Sequence, residues 1–520
     1  MKKLLSLLLA VAVAFAIPAG PGLYVADAAT DGTVISTVAD LKAMENNPSG
    51  SYYLANDIDL SGETNLILFA DRDNPFKGTL DGNGKSIKGY TYTASSWKDG
   101  VALFGNAEGA TFKNLTMSNV SINMTGGGSA AALLAMSKNC TFNGIKTTGS
   151  IKISNRYILD QDGYQTDDMC EAAGIVFYEY EKGTFKSCTN SINIELTHKG
   201  QDAPVAAGIV WLVGEGSVTK CTNRGNISVT HTPDPNWGSG DCEAAGIISF
   251  FGGSTAISGC KNSGKITITG NKTTNNAYAF ISSAAGIVVK TDSSVISCSN
   301  TGSISITNNA KNHQGSTAAG IACSVDHNGK KVSKCSNSGA ISYKGAEVGI
   351  GEICVAGVVG STGKVEQTYN KGKISVNSNV TADAGGVAGF CADMRNCYNI
   401  GTVTHKGKGH AGGLAATADV LGGYVKCNYS TGKVSGSNSR LTKGQLIGYY
   451  TGGWDVRERN IFNNYYKTSG KAYGAAGFTW KPWLATASKV SSITFSKCPK
   501  LSSTYWTSKN GRLILKNNKE

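Results

Sequence analysis

Fourteen cysteines are the residues of this chain best equipped to do chemistry. Five of them open a recurring phrase: CTNRGNI at 221–227, CKNSGKI at 260–266, CSNTGSI at 298–304, CSNSGAI at 335–341 and CYNIGTV at 397–403. A repeated thiol could ligate zinc, build a disulfide framework or act as a nucleophile. Zinc requires CxxC pairs or closely clustered Cys and His, and the phrase supplies neither. Disulfides between successive copies would need side chains that emerge in parallel to turn toward one another. A buried, reduced thiol behaves instead as a small hydrophobe. Thr368 and Asn428 hold the cysteine's place in two further copies, so the thiol is replaceable and its repetition reads as structural. No metal site and no cofactor are expected.

Carboxylates are the next candidates, because cleaving a glycosidic bond takes a pair of them. The densest acidic stretches are Asp57/Asp59, Asp71-Arg72-Asp73, and Asp160, Asp162, Asp167 and Asp168 with Glu171. The first sits in a DIDL phrase that reads as structure, and DGNG at 81–84 reads as a turn. The DQDG at 160–163 lacks the carboxylate spacing and bidentate Glu of a calcium loop. No Ser-His-Asp order, zinc-protease helix or phosphate loop is visible, and there are six His. The expectation is a protein with no catalytic residues; a polysaccharide lyase or hydrolase is the enzymatic alternative.

The elements that would position any site are repeats. Before each cysteine phrase stands another: AAGIVFY at 172–178, AAGIVWL at 206–212, AAGIISF at 244–250, AAGIVVK at 284–290 and AAGIACS at 318–324. Weaker copies follow at 355–361, 385–391 and 412–418, and each unit ends in an alternating tail such as ISVT or ITIT. Short, β-branched, alternating runs punctuated by Gly and Asn are strand chemistry. One such unit cannot bury its apolar face alone, whereas stacked units can. The expected fold is all-β: a right-handed parallel β-helix (solenoid) of about eleven rungs with N- and C-terminal caps, each rung holding three short strands. Repeated Asn would form a ladder up the stack. The domains expected are a signal peptide at 1–28, an N-terminal cap and first strands at 29–98, repeats with corner insertions at 99–470 and a basic C-terminal cap at 471–520. In that last segment Trp480, Trp483 and Trp506 would cover the last rung.

Composition narrows the setting. MKKLLSLLLAVAVAFA followed by ADAA at 26–29 has the basic start, short apolar core and small-residue end of a secretory signal, with cleavage expected after Ala28. Pro18, Gly20, Pro21 and Gly22 end the apolar run too early for a membrane span. The chain carries a formal charge of +13, and residues 420–520 hold 16 Lys+Arg against 3 Asp+Glu, which accounts for all of it. A basic end on a neutral body suits a cell-wall polyanion. An export signal without a nucleic-acid-reading module argues against nucleic acid.

ISTVADLKAMENNPSGSYYLANDIDLSG, then FKGTLDGNGKSIKGYT and ALFGNAEGATFKNLTMSNVSI, resembles the opening of bacterial secreted or cell-surface glug-type repeat proteins. Gly357-Val-Val-Gly360 and Gly386-Val-Ala-Gly389 match the glug motif, and LSSTYWTSKNGRLILK resembles such proteins' closing segment. The resemblance implies a β-helical, adhesin-like protein, secreted or associated with the cell wall. It says little about ligand, because such repeats occur on adhesins, proteases and other surface proteins.

Extra residues fall between the alternating tail and the next AAG phrase, so they would leave one corner of successive rungs as ligand-facing loops. There the candidate ligand-binding residues are Arg156, Tyr157, Tyr164, Asp167, Asp168, Trp237, Tyr278, Phe280 and His313. Aromatics among polar groups suit the apolar face and hydroxyls of a sugar, or a protein hot spot. The expected partner is a host or environmental glycan or glycoprotein, with immunoglobulin as the alternative.

Overall fold

A computed structural model describes residues 32–155, 158–159, 165–166, 169–234, 240–272, 281–309, 315–345, 352–420, 423–451, 460–477, 485–518 and 520. Within them the chain is nearly all β, built from short parallel strands stacked as a solenoid. One turn shows the scheme. Strand Ser282–Ala285 bends at Gly286 into Val288–Thr291, and Val295–Ile296, Ser299–Asn300 and Ile304–Asn308 follow. Each pairs in parallel with its counterpart in the next turn, at Ser282↔Ser316, Val288↔Ala322, Val295↔Val332, Ser299↔Ser336 and Ile304↔Ile341. The strands preceding the Gly bends form a sheet of eleven, from Lys98–Val101 to Leu441–Gly444, in strict chain order.

This turn carries five short strands where three were expected, and a left-handed corner makes one of the extra breaks, between Val295–Ile296 and Ser299–Asn300. Ser187, Lys220, Ser297, Lys334, Gln367 and Asn396, each just before the cysteine position, have φ between 49° and 56°. The equivalent residue one turn after Lys220 is Gly259, the residue type that adopts this geometry without a Cβ clash.

The ladders read from the phrases are present. Cys188, Cys221, Cys260, Cys298, Cys335 and Cys397 are buried and all fourteen thiols are free. Each Cys from 221 to 335 points its thiol at a carbonyl of the turn before, as Cys298 does at Ile257 and Cys335 at Val295. Burial pushes the Cys188 and Cys298 thiols far above their ordinary range, and hydrogen bonding with the neighbouring thiols together with burial does the same for Cys221 and Cys260, so they are inert. Two residues on, Asn190, Asn223, Asn262, Asn300, Asn337, Asn370 and Asn399 are joined amide to amide at 2.7–2.9 Å. The AAG glycine exists to make room for them. A Cβ on Gly286 would lie 2.1 Å from the Gly320 carbonyl oxygen and 2.8 Å from the Asn300 amide.

A single apolar core runs from Ile35 to Ile461. Helix Val38–Ala43, capped by Thr37 and Asp40, puts Leu41 into its first turns, and Met44 just beyond follows it in. The chain's far end behaves differently from the expectation that Trp506 covers the last rung. The antiparallel hairpin Trp506–Lys509 and Arg512–Leu515 lies on the flank of earlier turns. Trp506 packs on Tyr398 and Tyr429, members of a tyrosine ladder with Tyr369 and Tyr465. Tyr429 donates to the Leu513 carbonyl at 2.7 Å, and the Asn518 amide reaches the Cys335 carbonyl at 2.8 Å. Aromatic area this large is stabilised more by a neighbouring apolar ladder than by an exposed end. Trp480, Trp483 and the segment read as a signal peptide lie outside the described residues.

Candidate functional groove

The bend at each AAG glycine sets the eleven-stranded sheet at an angle to the strands that follow, and the inside of that angle is a groove along the stack. In CEAAG at 242–246, Cys242 points inward and Ala244 joins the core, so alternation turns Glu243 outward. Its register mates up the stack are Ser283, Thr317, Cys354, Asp383 and His410. The opposite wall is Lys290, Ser324, Ser361, Phe390, Thr417 and Tyr449, again one per turn. The floor is narrow and made of small side chains, including Ala245, Ala285, Ala319, Val289 and Cys323. Small residues are required there: a Cβ on Gly389 would fall 2.0 Å from the Cys354 sulfur.

The groove encloses about 760 Å³. Thr417 Oγ1 donates to Asp383 Oδ2 at 2.8 Å, and Ser249 donates to a Glu243 carboxylate oxygen. Burial pushes Asp383 up to about 7, helped by the nearby Glu352 carboxylate, and burial raises Glu243 and Asp241 as well. Burial lowers His410. Two ring pairs stand in the groove: His327 stacks on Phe390 at 5.7 Å between centroids, and His410 reaches across from the first wall to stack on Tyr449 at 4.6 Å. His327 also shares a 3.0 Å hydrogen bond with Ser361. Carboxyls that carry a proton near neutrality can donate as well as accept. Together with hydroxyls and ring faces they can fix a hydroxyl-rich ligand. Among the described residues no group of three or more His, Cys, Asp or Glu is arranged to hold a metal ion.

All nine residues expected to bind ligand, Arg156, Tyr157, Tyr164, Asp167, Asp168, Trp237, Tyr278, Phe280 and His313, lie outside the described residues. The described positions bordering the insertions, Asp241 and Glu352, line the groove. Asp57 and Asp59 are structural: they accept backbone N–H bonds from Ser86 at 2.8 Å and Ser61 at 2.9 Å. Asp81 closes the DGNG turn by accepting from Asn83 at 2.8 Å. The groove residues were missed. The available signal was the single position before each AAG, where the repeat keeps its register but changes its residue: Glu171, Glu243, Ser283, Thr317, Asp383.

Fold and groove define the class, an all-β solenoid of stacked parallel strands with a cleft lined by hydroxyls, carboxyls and rings. Over 137 residues, 24% of this chain, the sequence is 33% identical to Halomucin of Haloquadratum walsbyi (strain DSM 16790 / HBSQ001); the stretch is 2% of that protein. No family model matches the chain. No solved structure matches it either.

Proposed function

We infer that this is an exported, surface-associated binding protein that holds a glycan or glycoprotein against its solenoid without chemical turnover. The solenoid is read as a right-handed β-helix of about eleven rungs, closed by the N-terminal helix segment at one end and by residues beyond 470 at the other. The basic residues of 420–520 would help retain it on an anionic cell-wall polymer. Among the described residues no helix is long and apolar enough to cross a membrane.

The observation that carries this reading is the groove, whose walls combine ring faces with six Ser and Thr hydroxyls. The described ends of the insertions border the same cleft, so loops and groove would act on one ligand. The test is a glycan array read with the wild-type chain and with Ser361→Trp, which fills the cleft from an outward-facing position. Binding that is lost in the variant, with an unchanged thermal melt, supports the proposal. Binding that persists undiminished refutes the groove as the site. A second reading, a carbohydrate-active enzyme, draws on Asp383, whose carboxyl is poised near neutral pH beside Glu352. Release of reducing ends from any bound glycan would establish it in place of simple binding.

A further inference from the structure

We propose that the groove selects an uncharged polysaccharide, laid along the stacking axis, and rejects acidic glycans even though the whole chain is strongly basic. This deepens the binding reading above and rests on it.

Shape sets the direction of the chain. From Glu243 to His410 the outward positions advance by five strand steps, about 24 Å at the spacing of paired strands. The cleft follows that line between two walls, with Val289, Cys323 and Ile353 among the apolar side chains between them. A linear chain fits such a trough. Phe390 and Tyr449 stand two steps apart on one wall, about 10 Å, with Thr417 between them. Ring faces at a regular interval along a cleft suit a polymer that presents an apolar face at every second unit.

Charge sets the chemistry. Among the described residues, the ionisable groups lining the groove are Asp241, Glu243, Glu352 and Asp383 against Lys290, with His327, His410 and two cysteine thiols. Asp241 and Glu352 stand exposed at the rim, while Glu243 and Asp383 are recessed. A uronate or sulfate entering the cleft would meet two rim carboxylates and one ammonium. It would also have to leave water beside recessed carboxyls that burial already discourages from ionising. A neutral sugar meets no such opposition. Its hydroxyls find donors and acceptors in Ser283, Thr317, Ser324, Thr381 and Thr417. The excess positive charge lies in residues 420–520, and among the described residues of that segment only Tyr449, uncharged, reaches the groove. The polyanion-attracting part and the selective part of the molecule are therefore separate.

The experiment is a competition measured at physiological ionic strength, where contacts of the basic surface are screened. Immobilised chain is challenged with cello-, manno- and laminari-hexaose as neutral probes, and with oligogalacturonate and hyaluronan fragments of similar length as acidic ones. Signal sensitive to Ser361→Trp counts as groove binding. At least one neutral probe is expected to bind in the groove at least tenfold tighter than any acidic probe. In the double variant Asp241→Asn/Glu352→Gln, which removes the two rim charges, that ratio should fall several-fold. Groove binding of an acidic probe as tight as the neutral ones overturns the proposal and leaves the binding reading intact. So does an unchanged ratio in the double variant. No groove-dependent signal from any probe overturns both.

Discussion

The Asn ladder allows a quantitative test of what holds the turns in register. Asn300 is buried, accepts from the Asn262 amide at 2.8 Å, and donates to Asn337 Oδ1 at 2.7 Å and to the Gly302 carbonyl at 2.8 Å. Asn300→Ala deletes all three bonds, each worth about 1 kcal/mol net. It also strands Asn337 Oδ1 and the Gly302 carbonyl away from water, and a buried polar group without a partner costs about 1–3 kcal/mol. The Asn262 amide keeps its bond to Gly264, so only part of its hydrogen-bonding capacity is lost. With the stranded-group penalty taken in place of the net value of the bonds to Asn337 and Gly302, a destabilisation of about 3–7 kcal/mol is expected. Asn300→Asp keeps the shape but removes the donors and sets a carboxylate against two carbonyl oxygens, so it should cost at least as much. Asn399, followed in register by Ser430, has no further Asn above it but accepts from the Gly401 N–H at 3.0 Å, so Asn399→Ala should cost about as much as Asn300→Ala. Because neighbouring turns carry most of a solenoid's stability, the loss should be local. Hydrogen exchange read peptide by peptide in sub-denaturing urea would place it in the turns holding Asn262, Asn300 and Asn337. The exposed Ser303→Ala is the control. If Asn300→Ala costs no more than that control, or if Asp is milder than Ala, the ladder is not the register device argued for here.

Two further outcomes are expected. Glu171 is buried with one carboxylate oxygen unpartnered, and burial beside Asp99 and Asp202 pushes it up to about 8. The folded chain therefore holds a proton that the unfolded chain releases near the ordinary carboxylate range, and this group's contribution to stability falls as pH rises from about 5 to 8. Lowering the pH from 8.5 to 5.5 should recover on the order of 2–3 kcal/mol from Glu171 alone. Glu171→Gln should flatten the melting temperature over that window relative to wild type, and equal slopes in the two would show that the carboxyl is not held neutral. Separately, an Ellman titration without reductant should find at most the half-buried Cys354 and Cys427 in the native chain and all fourteen thiols after denaturation. Fewer after denaturation would reveal disulfides and contradict the free, inert ladder.

The stack was legible because stacking punishes variation. A residue that points inward or laterally meets its own copy one turn away, so Cys, Asn and Gly recur at those places and the period appears in the sequence. The left-handed corners were not legible, since Ser297, Lys334 and Gln367 share a conformation without sharing a residue type. The flank-bound hairpin left a trace that went unread. The residue between Cys and Asn is Thr222, Lys261, Ser299 or Ser336 in the earlier turns, but Tyr369 and Tyr398 where Trp506 and its neighbours cover it, with Tyr429 next in the ladder. A change of residue type at a constant register position is the signature of a neighbour outside the repeat.

The same rule applies to the groove and shows why it is the better place to look for function. At inward positions the stack dictates the residue, and on the outer strands alternate positions face water, so most choices there are tolerated. The position before AAG is neither. It points outward, yet Glu243 and Asp383 are recessed enough for their carboxyls to resist ionisation, and it reads Glu, Ser, Thr, Cys, Asp, His over six successive turns. Ser or Thr at Asp383 would fill the site without the cost that burial adds to ionising a carboxyl. On the proposed binding role, the carboxyl is kept against that cost because a ligand engages it. It follows that Asp383→Ser should raise the melting temperature above pH 7 while weakening glycan binding. A variant that gains stability with binding intact would mean that the groove carboxyl has no ligand.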